Sequence, residues 1–429
     1  MKKLLFVLLV CTPAFAQLPS SAPPMGWSSY FYSGYIGGCA PTETIVKAQA
    51  DAMRTTMDSH YKLVGLDCGW ANQTRTGGLQ TANATKFPSG IPSLVSYIHG
   101  HGQYIGIYST PGPASSTNCG NGPGSYGFET TDASTFANWR IDYLKYDFCT
   151  GSTVYANTTP GVENAYQVMA TALAGTVEPT MYYLASVPEL SYGYGNGWTW
   201  FQAVGASEYW ANEVANDATL DLALFSVPWA TYQPYQNKGH WLNGDFLICG
   251  HYTIYVSNGG SGPQAVTDGD CQTQFALWSM IAAPLVVSVD ITTLDAQALA
   301  TLNNTEVIAV DQDSLGLMGA QLTNVACGSS FCPVWTRTLA NGTIAVGLFN
   351  RDSAAHSVTL NFSSLSTGTT HYEVRDLYTH TNLGVMTSYT AASVPPPGSV
   401  AASSDMILLT ATLGGSTLTE GVAKGAVIQ

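Results

Sequence analysis

The feature that most constrains this chain is an alternation. From Pro23 to about Gly316, short apolar runs end in polar or Gly-rich loops and lead into amphipathic stretches. Tyr61–Asp67 (YKLVGLD) reads as a buried strand, and Ile91–His99 as the helix before the next strand, Tyr104–Tyr108 (YIGIY). Ala133–Trp139 reads as the helix leading into Ile141–Asp147 (IDYLKYD). Met181–Ser186 (MYYLAS) is a further strand, and the helix Phe275–Met280 precedes Pro284–Val289 (PLVVSV). Repeated strand–loop–helix units predict an α/β fold with a parallel sheet, most simply a (β/α)8 TIM barrel.

After about Met318 the rhythm changes. Thr343–Asn350, Ser357–Phe362, His371–Leu377 and Met406–Thr410 are short, β-rich and separated by Gly, Ser, Thr and Asn clusters. They predict a C-terminal antiparallel β-sandwich. The expected division is a barrel over 17–318, a sandwich over 319–413 and a tail over 414–429.

Residues 1–16 have the make-up of a signal peptide. Lys2 and Lys3 are the basic start, Leu4–Val10 the apolar stretch and Ala14-Phe15-Ala16 the small-x-small cleavage site. The apolar run is too short for the ~20 residues of a spanning helix. A secreted or periplasmic protein is expected. Eight cysteines follow residue 16: Cys39, Cys68, Cys119, Cys149, Cys249, Cys271, Cys327 and Cys332. An even number in an exported chain points to disulfides, whose connectivity the spacing leaves open. None falls in a C-x-x-C pair, so no zinc site is expected; no cofactor is expected either. The net charge of −14 makes nucleic acid and anionic membranes poor partners. A neutral substrate suits a chain with 24 Tyr and 10 Trp, because sugar C–H faces stack on such rings.

In a barrel the active site is built at the C-terminal ends of the strands. Four of the strands end in candidates: Asp67, Tyr108, the Lys145/Asp147 pair, and Glu189 beyond MYYLAS. A lone strand-end Asp is as often a helix cap. Asp147 stands out because Lys145, two residues earlier, shares its face of the strand. A buried Lys needs a partner and keeps a nearby carboxylate ionised, which suits a nucleophile. Two carboxylates are the minimum for glycoside hydrolysis. The residues alone therefore predict an exported barrel enzyme acting on carbohydrate.

Longer segments carry a resemblance. PPMGWSSYF (23–31), LVGLDCGW (63–70), FPSGIPSLVSYIHGHG (87–102), GIYSTPG (106–112) and PGSYGFETTDASTFANWRIDYLKYDFC (123–149) occur in order. FALWSMIAAPLVVSVDI (275–291), EVIAVDQDSLG (306–316) and VRDLY (374–378) follow. Together they resemble glycoside hydrolase family 27, the retaining α-galactosidases and α-N-acetylgalactosaminidases. The resemblance implies Asp147 as nucleophile and Lys145 as a donor to sugar hydroxyls. It implies Asp67 as a binder of the 4- and 6-hydroxyls, Tyr30 in place of a stacking Trp, and Tyr108 as a pocket residue. Glu189 falls where the family contacts the 2-substituent, and Asp245 in HWLNGD falls on the last Asp of a Trp-Asn-Asp-Pro-Asp motif. It implies Cys39–Cys68 and Cys119–Cys149 as disulfides; Cys249–Cys271 and Cys327–Cys332 follow from proximity.

Several positions depart from the pattern. Cys68 stands where the family has a second strand-end Asp, and Glu208-Tyr209 where it has Trp-Arg. The family's acid/base Asp is Glu213 here by ungapped alignment, with Asp217 as competitor. The expected function is that of an exported retaining α-glycosidase, foremost an α-galactosidase acting on oligosaccharide or polysaccharide. The alternatives are the same chemistry on an α-glucoside or β-L-arabinopyranoside, and a catalytically weak carbohydrate-binding relative. Oligomeric state is left open.

Overall fold

The computed structural model describes residues 21–30, 39–177, 182–186, 200, 204, 207–209, 232–250, 253–255, 263–322, 326–327, 330–365, 367–413 and 416–417. The signal-peptide segment, Glu189, Glu213, Asp217 and nearly all of the 414–429 tail lie outside these residues.

Eight parallel strands form the first sheet. They are β1 (Met25–Ser28), β2 (Leu63–Leu66), β3 (Tyr104–Ser109), β4 (Tyr143–Asp147), β5 (Tyr182–Ser186), β6 (Ser207–Tyr209), β7 (Trp241–Asn243) and β8 (Leu285–Val287). Their hydrogen-bonded order is β8-β1-β2-β3-β4-β5-β6-β7. The ring closes through Leu247, just beyond β7: its N–H donates to Val286 O at 2.8 Å and its carbonyl accepts from Ser288 N at 3.0 Å. This is the expected TIM barrel. β2 is buried at every position, as a parallel strand covered on both faces must be.

Helices α1 (Glu43–Thr56), α2 (Ile91–Gly100), α3 (Glu129–Asn138), α4 (Thr159–Ala174) and α5 (Asp268–Ile281) cover the sheet, with α6 (Ala296–Leu302) and α7 (Thr305–Asp311) after β8. α1, α2 and α4 each bury one stripe. α1 buries Val46, Ala50 and Met53 and is capped by Thr42, whose Oγ1 accepts from Ile45 N.

Two helices start earlier than their apolar pattern predicts. α3 begins at Glu129 rather than Ala133 because its polar first turn is itself buried. Asp132 takes both Nη atoms of Arg75 at 2.7 and 2.6 Å, and Glu129 accepts from Tyr155 OH at 3.0 Å. α5 begins at Asp268 rather than Phe275, on a capping box made by Thr267 and Asp270. Gly269 is required there, since a Cβ would lie 2.3 Å from the carbonyl oxygens of Ala401 and Ser399.

The second unit is antiparallel. Strands β9 (Ala320–Leu322), β10 (Val334–Thr338), β11 (Ile344–Phe349), β12 (His356–Asn361), β13 (Tyr372–Asp376), β14 (Thr381–Met386), β15 (Ser388–Val394) and β16 (Ser404–Leu413) build it. The larger sheet runs β9-β10-β11-β16-β13-β14, and β12 pairs with β15 across a core that includes Val346, Leu348, Val358, Leu360, Phe362 and Tyr372. α5 is buried along nearly its whole length, polar first turns included, and packs between barrel and sandwich. Polar contacts lock the two together. Arg375 of the VRDLY segment forms a two-armed pair with Glu306 at 2.6 and 2.7 Å, and buried Arg337 donates to Ser279 O at 2.5 Å.

Three disulfides are described: Cys39–Cys68, Cys119–Cys149 and Cys249–Cys271. Cys332 is also disulfide-bonded; the side chain of its expected partner, Cys327, lies outside the described residues. Among the described residues no helix is long and apolar enough to cross a membrane.

Candidate active site

The first two strands bring two hydroxyls and a carboxylate to the barrel mouth. Asp67 follows β2 directly and is 3% exposed. Its backbone N–H donates to Ser29 Oγ at 2.9 Å, and its Oδ1 accepts from Cys68 N at 2.8 Å. Oδ2 accepts from Lys145 Nζ at 2.9 Å and, more weakly, from Ser28 Oγ at 3.5 Å. These bonds fix the carboxylate plane before any ligand arrives.

β4 alternates half-buried and buried residues. Tyr143, Lys145 and Asp147 lie on the barrel-interior face. Leu144 and Tyr146 lie on the other, where the Tyr146 ring meets Tyr166 of α4 edge-on at 5.9 Å. Lys145 Nζ stands 4.7 Å from the Phe246 ring centroid, 5.1 Å from Tyr30 and 5.8 Å from Tyr108. Tyr108, at the end of β3, donates its hydroxyl to Asp147 Oδ2 at 3.1 Å. The Tyr108 carbonyl is in turn held by Trp70 Nε1 at 2.9 Å.

Asp245 comes to the site by a strained turn. Its φ is +73°, its side chain is buried, and its N–H donates to Asn243 Oδ1 at 2.9 Å. Trp278 of α5 supports the turn, donating Nε1 to Asp245 O at 2.9 Å. The indole lies so close that a Cβ on Gly244 would sit 2.5 Å from it. Ser28, Asp67, Lys145, Asn243 and Phe246 line one cavity, whose deeper wall is Leu63, Leu66 and Val286.

The charges sort into roles. Burial pushes Lys145 down, but the carboxylates of Asp67, Asp245 and Asp147 outweigh it and hold the ammonium above the ordinary lysine value. Burial raises Asp147 above the usual aspartate range, opposed by the Lys145 charge and the Tyr108 hydrogen bond. Burial, then the charges of Asp147 and Asp67, keep the Tyr108 phenol protonated, so it remains a donor. A cation and a donor thus converge on one partly desolvated carboxylate.

Of the expected site residues, the structure brings together Tyr30, Asp67, Tyr108, Lys145, Asp147 and Asp245. Ser28, Ser29, Asn243 and Phe246 were not anticipated. Ser28 and Ser29 close β1 just as Asp67 closes β2, a strand-end signal that was available; Phe246 carries no comparable mark. The disulfide Cys39–Cys68 begins one residue after Asp67 and Cys119–Cys149 ends two residues after Asp147. Lys86 secures the first, donating to Cys39 O at 3.1 Å and Gly69 O at 2.8 Å. Among the described residues no group of three or more His, Cys, Asp or Glu is placed to hold a metal ion.

Known proteins share both units. Residues 23–313 match the family described as alpha galactosidase A, and residues 330–403 match the alpha galactosidase C-terminal beta sandwich domain. The α-galactosidase of Cyamopsis tetragonoloba is 32% identical over 377 residues, covering 87% of this chain and 83% of that one. The crystal structure of α-galactosidase I from Mortierella vinacea superposes with a TM-score of 0.74 at 24% identity, covering 91% of this chain and 97% of the other. A β-L-arabinopyranosidase from Geobacillus stearothermophilus superposes with a TM-score of 0.74 at 19% identity, covering 92% and 98%. The last two show the shared fold. With its barrel, its sandwich and most of its length matched, the chain belongs to the α-galactosidase family, glycoside hydrolase family 27, and is a glycoside hydrolase.

Proposed function

We propose that this protein removes terminal α-D-galactosyl residues from oligosaccharides or polysaccharides outside the cytoplasm, by a double displacement that retains anomeric configuration. The observation that carries this reading is the Asp147 carboxylate, held by the Tyr108 hydroxyl and acted on by the charge of Lys145, whose ammonium lies over the Tyr30 and Phe246 rings. In the first step an Asp147 oxygen attacks the anomeric carbon, and the glycosidic oxygen leaves with a proton from Glu213. The product is a glycosyl ester on Asp147. In the second step Glu213 takes a proton from water, the water oxygen bonds to the anomeric carbon, and Asp147 departs as a carboxylate. Asp217 is the alternative acid.

Lys145 donates to sugar hydroxyls while Asp67 accepts from them. Tyr30 offers a ring face to the apolar side of the sugar, and Glu189 contacts the 2-substituent. Raising the nucleophile's pKa by burial makes it the more basic attacker, while the Lys145 charge and the Tyr108 hydrogen bond oppose that rise and favour its ionised form. Three disulfides suit an oxidising compartment, in keeping with export.

One observation favours broader sugar choice. Cys68 sits beside Asp67, is buried, and is bonded to Cys39, so it offers no carboxylate to an axial 4-hydroxyl. Among the described residues Asp67 and Lys145 are left to read that hydroxyl, and discrimination against the equatorial epimer is correspondingly weaker. The test is kcat/KM on aryl α-D-galactoside, α-D-glucoside and β-L-arabinopyranoside. Cleavage of the galactoside with a modest preference over the glucoside is expected. Brisk cleavage of another sugar with none of the galactoside would overturn the sugar assignment and leave the chemistry standing.

A further inference from the structure

Three loops meet at the barrel mouth, and two of them present large apolar side chains to solvent although the scaffold beneath them is tightly built. They follow β2, β3 and β4, the strands whose ends carry Asp67, Tyr108 and Asp147, so they lie on the same face as the nucleophile. Tyr126, in the loop after β3, is 44% exposed, and Leu79, in the loop after β2, is 41% exposed. The Tyr126 ring rests edge-on against Tyr155, from the loop after β4, with centroids 5.3 Å apart and planes at 89°.

Neither ring is a loose surface side chain. The Tyr155 hydroxyl donates to Glu129 Oε1 at 3.0 Å, and Glu129 is buried in the first turn of α3. The Tyr126 N–H donates to Gly112 O at 3.1 Å. Arg75 pins the neighbouring hairpin to this loop: it donates to Gly78 O at 2.9 Å and Gly124 O at 2.7 Å, pairs with buried Asp132, and lies 4.3 Å from the Phe128 ring centroid. Arg75 thereby anchors the chain on both sides of Tyr126, at Gly124 and at Phe128. A fixed aromatic face with its edge already supported loses little freedom when a flat apolar ligand lands on it.

We propose that Tyr126, backed by Tyr155, is a stacking platform for a pyranose ring of the saccharide chain that carries the scissile sugar. The ligand is a neutral polysaccharide, whose C–H faces fit an uncharged ring and whose length lets it reach the rim while its terminal residue occupies the cavity. The proposal rests on the galactosidase reading for its substrate, and the experiment separates the two.

The variants are Tyr126→Ala and Tyr126→Phe, assayed on an aryl α-galactoside and on a mannan bearing single α-galactosyl branches. The aryl substrate is too short to reach the rim. Tyr126→Ala should lower kcat/KM on the mannan by roughly 5–30-fold, the factor that one or two kcal/mol represents, and leave the aryl substrate unchanged. Tyr126→Phe, which keeps the ring, should behave as wild type on both. Equal loss on both substrates, or no loss on the mannan, overturns the proposal. Retardation of the folded protein in gels cast with the mannan provides a readout without turnover: wild type and Tyr126→Phe should be slowed and Tyr126→Ala should not. Equal migration of all three overturns the platform. Absence of aryl-galactoside cleavage alongside selective retardation would instead sink the galactosidase reading and support the platform.

Discussion

Asp311→Asn should stabilise this protein at neutral pH, and the size of the gain follows from where Asp311 sits. It ends α7, fully buried where the barrel meets the sandwich, and its Oδ2 accepts from Gln312 Nε2 at 2.6 Å while Oδ1 has no hydrogen-bond partner. Burial raises its pKa from the ordinary 3.8 to about 8, against the pull of Arg337 and of the Gln312 hydrogen bond. Arg337 gives its own hydrogen bonds to the carbonyls of Ser279 and Asp311 rather than to the carboxylate. In the folded protein Asp311 therefore holds a proton that the unfolded chain gives up above pH 3.8. Its contribution is fully favourable below pH 3.8 and is lost as pH rises toward about 8. At about 1.4 kcal/mol per pH unit, the loss by pH 7 is on the order of 4 kcal/mol. Asparagine is neutral throughout and keeps nearly the same shape. Urea-unfolding midpoints measured at pH 4.5 and pH 7 should show the variant near wild type at the lower pH and clearly more stable at the higher. Parallel pH dependence in the two proteins would refute the reasoning, because it would mean that Asp311 is ionised in the folded state.

The remaining predictions concern the cavity. Asp147→Asn should leave the fold intact and lower kcat by at least ~10³-fold, since an amide cannot form the ester; near-full activity would remove Asp147 from the chemistry. The acid limb of the kcat/KM profile should lie above the ordinary aspartate value of 3.8, because burial raises Asp147 and protonation disables it. Tyr108→Phe deletes a hydrogen bond that favours the ionised form, so that limb should move to higher pH; a shift to lower pH would contradict the assigned sign. Lys145→Met removes the cation shared by three carboxylates and should lower kcat/KM on the order of 10²-fold on every sugar accepted.

The parts of the fold and site that were legible in the sequence are those with a short period. A strand repeats every two residues, so Lys145 and Asp147 could be placed on one face from spacing alone, and Asp67 and Tyr108 from their positions at strand ends. Less was legible where a polar residue is buried by a distant partner. The first turn of α3 looks solvated until Arg75, more than fifty residues away, is found against Asp132. The first turn of α5 is hidden in the same way by its contacts with the 398–401 segment. Phe246 reaches the site because the backbone turns at Asp245 with φ +73°, and nothing in the run WLNGDF marks a non-glycine residue for that conformation. The Tyr126–Tyr155 contact joins two loops through ring geometry and leaves no pattern in either.

The most direct test of the central claim is to trap the covalent intermediate. A fluorinated galactosyl fluoride, whose departure from the enzyme is slowed, should inactivate the wild-type protein and add the mass of one fluorogalactosyl group. Peptide mapping should locate that group on Asp147, and Asp147→Asn should take up none. A label on another carboxylate such as Asp67, or none on an enzyme that still turns over aryl α-galactosides, would contradict the assignment of Asp147 as the nucleophile.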